Sequence, residues 1–159
     1  MGKPSYLSFD ETSYAWKSDI DYRENPGSYR VGKGEQVVLI CEPYKSEIGR
    51  YWRFKTPEIA QQSSEKIYAL FLAYLKDGDF VGADMARKYL QMGYTRSRRY
   101  ANYKGGRKYD APDGYRELER GTGDEQKAKS AAIFYDQWKL AEANEVYSAI
   151  KKSWKDERG

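Results

Sequence analysis

"TPEIAQQSSEKIYALFLAYLKDGDFVGADMARKYLQMG", from Thr56 to Gly93, decides the fold. Thr56 has the side chain of an N-cap, Pro57 suits the first helical position, and Glu58 complements the positive end of the helix dipole. Ile67, Leu70, Phe71, Tyr74 and Leu75 then recur at three- and four-residue spacing, which predicts a core-facing helix running to about Lys76. "DGD" breaks it. Asp79 caps a second helix carrying Phe80, Ala83, Met85, Ala86, Tyr89 and Leu90, and Gly93 reads as its stop. So short a connection predicts an antiparallel αα-hairpin.

Downstream, Thr95–Asn102 reads as a third, short helix ending in a "KGG" joint, and "DAPDGYRELERGTGD" reads as loop. A long helix from about Glu125 to Glu142 places Ala128, Ala131, Ala132, Tyr135 and Trp138 on one stripe; Asn144 caps a last helix with Tyr147, Ile150 and Trp154. Upstream, a strand is expected at Tyr29–Val31 and another at Gln36–Cys41. Gly32 and Gly34 flank Lys33 in the tight turn between them, and "RYWRFK" (Arg50–Lys55) is a candidate third strand. The expectation is a helix-dominated α+β fold of about four to five helices, with a small N-terminal antiparallel β element. At 159 residues a single domain, 1–159, is the default, with 1–25 as an irregular acidic segment packed on the body.

Charged residues are 33% of the chain and mean hydropathy is −0.96, yet 16% of residues are aromatic, including 16 Tyr and 4 Trp. Disordered chains are poor in aromatics, so this composition implies a folded core built on amphipathic rings. Histidine is absent, which excludes a Ser–His–Asp triad, a Cys–His pair and any His-ligated metal within the chain. Cys41, the lone cysteine, lies in the apolar run "QVVLICEP", where a buried inert thiol is expected; one cysteine also excludes an intrachain disulfide. No window approaches the length of a membrane span, and the N-terminus has no secretory pattern. A cytoplasmic protein without cofactor or metal site is expected.

The formal charge of +4 conceals an asymmetry. From Phe80 to Tyr109, eight Lys or Arg face the single Asp84, a local excess of +7 that leaves −3 for the remainder. Its densest part, "YTRSRRYANYKGGRKY" (Tyr94–Tyr109), holds six cations, four tyrosines and no acid. Arginine forks match phosphate oxygens, tyrosine faces stack on unpaired bases, and a glycine joint lets backbone N–H groups approach an anion. Arg96, Arg98, Arg99, Tyr100, Tyr103, Lys104, Arg107 and Lys108 are therefore candidate contacts to single-stranded nucleic acid or another polyanion. Pairing of these arginines with the chain's own acids is the competing expectation.

"EPYKSE", "WRFKTPEIA", "DFVGADMARKYLQMGYTRSRRYANYKGGRKY" and "AAIFYDQW" resemble the family catalogued as domain of unknown function 4385, found in bacteria, some eukaryotes and phages. The resemblance extends over most of the chain from about Asp21 and is densest from Glu42 to Tyr109. It implies no established activity and no site residues.

Three further motifs bear on chemistry. "RVGKGEQ" lacks the spacing of a phosphate-binding loop and reads as a hairpin turn. In "DGDFVGAD", a helix stop and an N-cap account for Asp77 and Asp79 without an ion. Glu42, Lys45, Glu47 and Arg53 mix both signs beside Tyr44, Tyr51 and Trp52, forming a candidate ligand pocket with acid–base capacity. The leading expectation is thus a non-enzymatic nucleic-acid- or polyanion-binding domain. The alternatives are a small enzyme acting on an anionic substrate through residues 42–53, or a protein-interaction scaffold.

Overall fold

One turn organises the chain, and its hydrogen bonds follow directly from the local sequence. In the computed structural model, which describes residues 19–31, 40–102, 109–110, 116–117 and 125–158, helix α2 spans Pro57–Lys76 and α3 spans Phe80–Asn102. Thr56 caps α2 by accepting a hydrogen bond from the Ile59 amide at 3.2 Å. At the other end Gly78 adopts φ +73°, a conformation that penalises any side chain. This lets the Asp79 amide donate to the Tyr74 carbonyl at 2.8 Å and the Gly78 amide to the Leu75 carbonyl at 3.1 Å, closing the helix with a Schellman motif. Asp79 then accepts from the Gly82 amide at 3.0 Å and starts α3. The predicted hairpin is present.

Helix α1 covers Tyr44–Gly49, α4 covers Glu125–Ala143 and α5 covers Glu145–Arg158. Asn144 caps α5 by accepting from the Tyr147 amide at 2.9 Å. Helices α2, α3 and α4 pack on one another, with α5 crossing the first half of α3. The expected ring-rich core is there: Tyr22, Tyr29, Tyr44 and Tyr147 have no exposed surface, and they share one cluster with Ile67, Phe71, Leu90 and Phe134. Edge-to-face pairs such as Tyr22–Tyr29 (6.1 Å) and Tyr44–Tyr74 (5.6 Å) add about 0.5–1.5 kcal/mol each beyond their burial.

The predicted N-terminal antiparallel β element is overturned, and with it the α+β class; the fold is helical. Tyr29 is extended, but Tyr29–Val31 pairs with no strand among the described residues, and Arg50–Lys55 is irregular. Ile40 and Cys41 are not strand, while residues 32–39, including the Gly32–Gly34 turn and most of Gln36–Cys41, lie outside the described residues. What the alternation in this region reports is rings packing on helices. Trp52 meets Tyr89 at 6.0 Å, and the Trp154 indole donates to the Tyr29 carbonyl at 2.8 Å. Cations stack on those rings, one from the segment itself and two from other elements: Arg50 and Lys66 over Tyr51, Lys127 over Phe54. Among the described residues β pairing is confined to a parallel bridge between Asp21 and Glu42 and a two-residue antiparallel ladder. That ladder joins β1 (Tyr109–Asp110) to β2 (Arg116–Glu117), inside the stretch expected to be loop.

Two further expectations are corrected. Gly93 does not stop α3, and Thr95–Asn102 is not a separate helix but its last two turns. Gly93 is small because α4 lies against it: a Cβ there would sit 2.3 Å from a ring carbon of Phe134. Of the acidic N-terminal segment 1–25, residues 1–18 lie outside the described residues; Tyr22 within it and Tyr29 just after it are buried on the body.

Candidate functional site

Helix α3 carries cations along its whole length, but its two halves treat them differently. In the first half Asp84 is fully buried. The Arg87 guanidinium donates to Asp84 Oδ1 at 2.7 Å, the Tyr147 hydroxyl donates to the same oxygen at 2.6 Å, and the Tyr29 hydroxyl donates to Oδ2. Arg87 Nε donates to the Tyr147 oxygen at 2.8 Å, and another of its nitrogens donates to Gln91 at 2.8 Å. Burial alone would raise the Asp84 pKa. The charges of Arg87 and Lys88, with the hydroxyls of Tyr147 and Tyr29, outweigh burial and hold it at about 2. Burial and the neighbouring carboxylate push both tyrosines well above their ordinary value.

Lys88 is 1% exposed, and burial lowers its pKa to about 8 despite the attraction of Asp84. Cys41 is buried as expected, and burial pushes its thiol up to about 12, far from nucleophilic range. This knot joins the 19–31 segment, α3 and α5. Every one of these groups is buried, so the cluster serves the fold.

The sequence offered little sign of the knot. Asp84 and Arg87 at i,i+3 in an otherwise apolar stretch were the only local signal, since Tyr29 and Tyr147 lie 55 and 63 residues from Asp84.

The last two turns of α3 are different. Arg96 and Tyr100 are exposed, and Arg98 and Arg99 are half-exposed. Among the described residues no ion pair or hydrogen bond holds Arg96 or Arg98. At 100° per residue Arg96, Arg99 and Tyr100 share one flank of the helix, while Arg98 lies on the other flank with Tyr94. Tyr100, 37% exposed, meets Phe54 at 6.1 Å, and Lys127 Nζ lies 5.7 Å from its ring centre. Lys127 donates to the Phe54 and Lys55 carbonyls at 2.8 and 3.0 Å, which brings one more cation to this end of the molecule. Tyr103, Lys104, Arg107 and Lys108 lie outside the described residues.

Glu42, Lys45, Glu47 and Arg53 do not converge. The Glu42 carboxylate accepts from the Ser46 amide at 2.8 Å and from its hydroxyl at 2.7 Å, securing the first turn of α1. Lys45 is exposed, and Arg53 folds back on its own chain, donating to the Trp52 carbonyl at 2.8 Å. Glu47 alone reaches a cleft of about 970 Å³, between the Arg23–Gly27 segment, the α2–α3 turn and Trp154. There Arg23 grips it with two hydrogen bonds of 2.6 and 2.7 Å, and the Tyr74 hydroxyl donates at 2.7 Å. The Arg23 hydrogen bonds hold Glu47 below its ordinary pKa and raise that of Arg23.

Asp79, in the same cleft, accepts from the Tyr44 hydroxyl and the Gly82 amide. Glu47 thus accepts three hydrogen bonds from the protein, and Asp79 accepts from two donors. A group poised for acid–base chemistry needs a pKa near neutrality, and at Glu47 the Arg23 hydrogen bonds push it the other way. Among the described residues no cluster of potential metal ligands occurs, and no helix is long and apolar enough to cross a membrane.

The family profile described as Domain of unknown function (DUF4385) matches residues 13–157, nearly the whole chain. The chain belongs to that family. Membership in DUF4385 confirms the resemblance carried by the Glu42–Tyr109 block and assigns no chemistry to it. Among curated proteins and solved structures, nothing matches the chain.

Proposed function

We propose that this DUF4385 domain binds a polyanion, with nucleic acid as the first candidate, through the basic end of α3 and the segment that follows it. The observation that carries the reading is the contrast within α3. Arg87 is consumed by Asp84, whereas Arg96 and Arg98 are held by no ion pair among the described residues. No Asp or Glu occurs from Met85 to Tyr109, so the chain supplies no local acid to neutralise them. Arginine at such a place offers planar forks to phosphate oxygens.

The test is binding of short single- and double-stranded oligonucleotides across a salt series. Engagement of six cations gives a slope of log K against log salt of about −4 to −5. Reversal of Arg96, Arg98 and Arg99 to Glu abolishes binding on this reading. Wild-type protein that fails to bind even at low salt refutes it.

A further inference from the structure

We infer that Tyr94, Tyr135 and Trp138 form a stacking platform for unpaired bases, so that the polyanion is single-stranded nucleic acid; the inference rests on the polyanion reading and narrows it. The three rings stand together where α3 meets α4. Their centres are 5.2 Å apart for Tyr94–Tyr135, 5.7 Å for Tyr94–Trp138 and 5.8 Å for Tyr135–Trp138. Phe134, one residue from Tyr135, is fully buried against Gly93, yet Tyr135 keeps 41% of its surface in water. Tyr94 and Trp138 are partly buried against the core, so Tyr135 presents the most exposed ring of the three.

Charge around the platform selects the occupant. Lys139 Nζ lies 4.1 Å from the Trp138 ring centre and 5.4 Å from that of Tyr135. Arg98 is four residues from Tyr94, one turn along the same flank towards the basic segment. Two acids also lie nearby: exposed Asp136 adjoins Tyr135, and Glu142 accepts from the Trp138 indole at 2.9 Å and lies 3.9 Å from the Arg87 guanidinium. Ala132 and Ala128, both small, lie one and two turns along α4 from Tyr135 towards that segment. Rings flanked by a lysine at one end and an arginine at the other suit a strand whose bases stack and whose phosphates meet the cations. A duplex keeps its bases stacked inside and cannot use such a platform.

The experiment measures affinity by fluorescence anisotropy for three probes of about 12 nucleotides, within the usual range of site sizes. They are a base-bearing single strand, an abasic phosphodiester chain of equal length, and a blunt duplex. Wild-type protein is expected to prefer the base-bearing strand. Tyr135→Ala, at an exposed position that leaves the core intact, is expected to weaken that strand about tenfold while leaving the abasic chain and the salt slope unchanged; Tyr135→Phe keeps the affinity.

Equal affinity for the base-bearing and abasic chains overturns the platform. So does an equal loss on both when Tyr135 is removed. In either case the polyanion reading survives if the Arg96, Arg98 and Arg99 reversal still abolishes binding. A Tyr135→Ala variant with unchanged oligonucleotide affinity but altered solution mass marks the rings as a protein contact and overturns the inference as well. Wild-type protein that binds none of the three probes defeats both readings.

Discussion

The two halves of α3 use the same residue type for opposite purposes. Arg87 sits at 5% exposure, fastened to Asp84, Tyr147 and Gln91; Arg96, nine residues later on the same helix, is exposed. Burying a guanidinium costs several kcal/mol in desolvation, recovered only where carboxylate and hydroxyl partners saturate it. The first half of α3 has those partners from three separate parts of the chain. The second half lies beyond α5 and beyond the 19–31 segment, and its sequence supplies no acid. Charge at one end of the helix therefore locks the fold, while at the other no ion pair among the described residues holds Arg96 or Arg98, and the proposal assigns them to a partner.

The comparison breaks most severely at Asp84. Asp84→Ala leaves buried Arg87 with the more distant Glu142, at 3.9 Å, in place of its close counter-ion, and a loss of about 3–5 kcal/mol is expected in denaturant unfolding. Gly93→Ala comes next. It drives a methyl group into the Phe134 ring and forces α3 from α4, for an expected loss of about 1–3 kcal/mol. A wild-type midpoint for this variant would show that the helices can part freely there.

Titration sharpens the contrast further. The folded pKa of Lys88, about 8, lies below its ordinary 10.5, so the unfolded chain binds more protons between these values. Stability contributed by this group therefore rises with pH from about 8, by at most about 1.4 kcal/mol per unit. Above about 9 the rise is offset, because buried Cys41 keeps a proton that the unfolded thiol loses, and above about 10 the trend reverses as Tyr29, Tyr44 and Tyr147, raised by burial, do the same. Lys88→Met removes the rise between pH 8 and 9; a rise that persists in the variant assigns it elsewhere. On the acid side Asp84 behaves in the usual carboxylate sense. Its contribution is complete above pH 3.8 and is lost as pH falls towards about 2.

The smallest effect is expected at the cleft. Arg23 is bonded to Glu47, but its side chain is 42% exposed, and solvent-screened pairs contribute little. Arg23→Ala is expected to cost about 0–1 kcal/mol in the same unfolding assay, and less as salt is raised.

How much of this was legible depends on whether the signal was local. Thr56, Asp79 and Asn144 announced their helix starts because a cap involves a side chain and an amide only three residues away. Gly78 marked its turn for the same reason. Gly93 misled because the stop and the close-contact uses of glycine look alike until the facing residue, Phe134, is known. The Arg50–Lys55 alternation imitated a strand because its rings dock on the helical body, as Trp52 does on Tyr89, while Arg53 turns back to its own backbone.

Helix α1 was missed because six residues are too few to show a helical period; Glu42 bonding to Ser46 was its local sign. Within the candidate site, the arginines were visible from charge alone. Which of them the fold consumes was not, because the deciding partners, Tyr29 and Tyr147, are far away in sequence.

The central claim is that the exposed end of α3 is a binding surface and the buried end a structural one. Its most direct test is one titration of the Arg96, Arg98 and Arg99 to Glu variant beside wild type, with a single-stranded oligonucleotide at stepped salt and the unfolding midpoint of each protein recorded. The account predicts that wild type binds with a log–log salt slope of about −4 to −5, and that the variant loses binding while its stability stays within about 1 kcal/mol. A variant that binds as wild type does, or that unfolds as readily as Asp84→Ala, would contradict it.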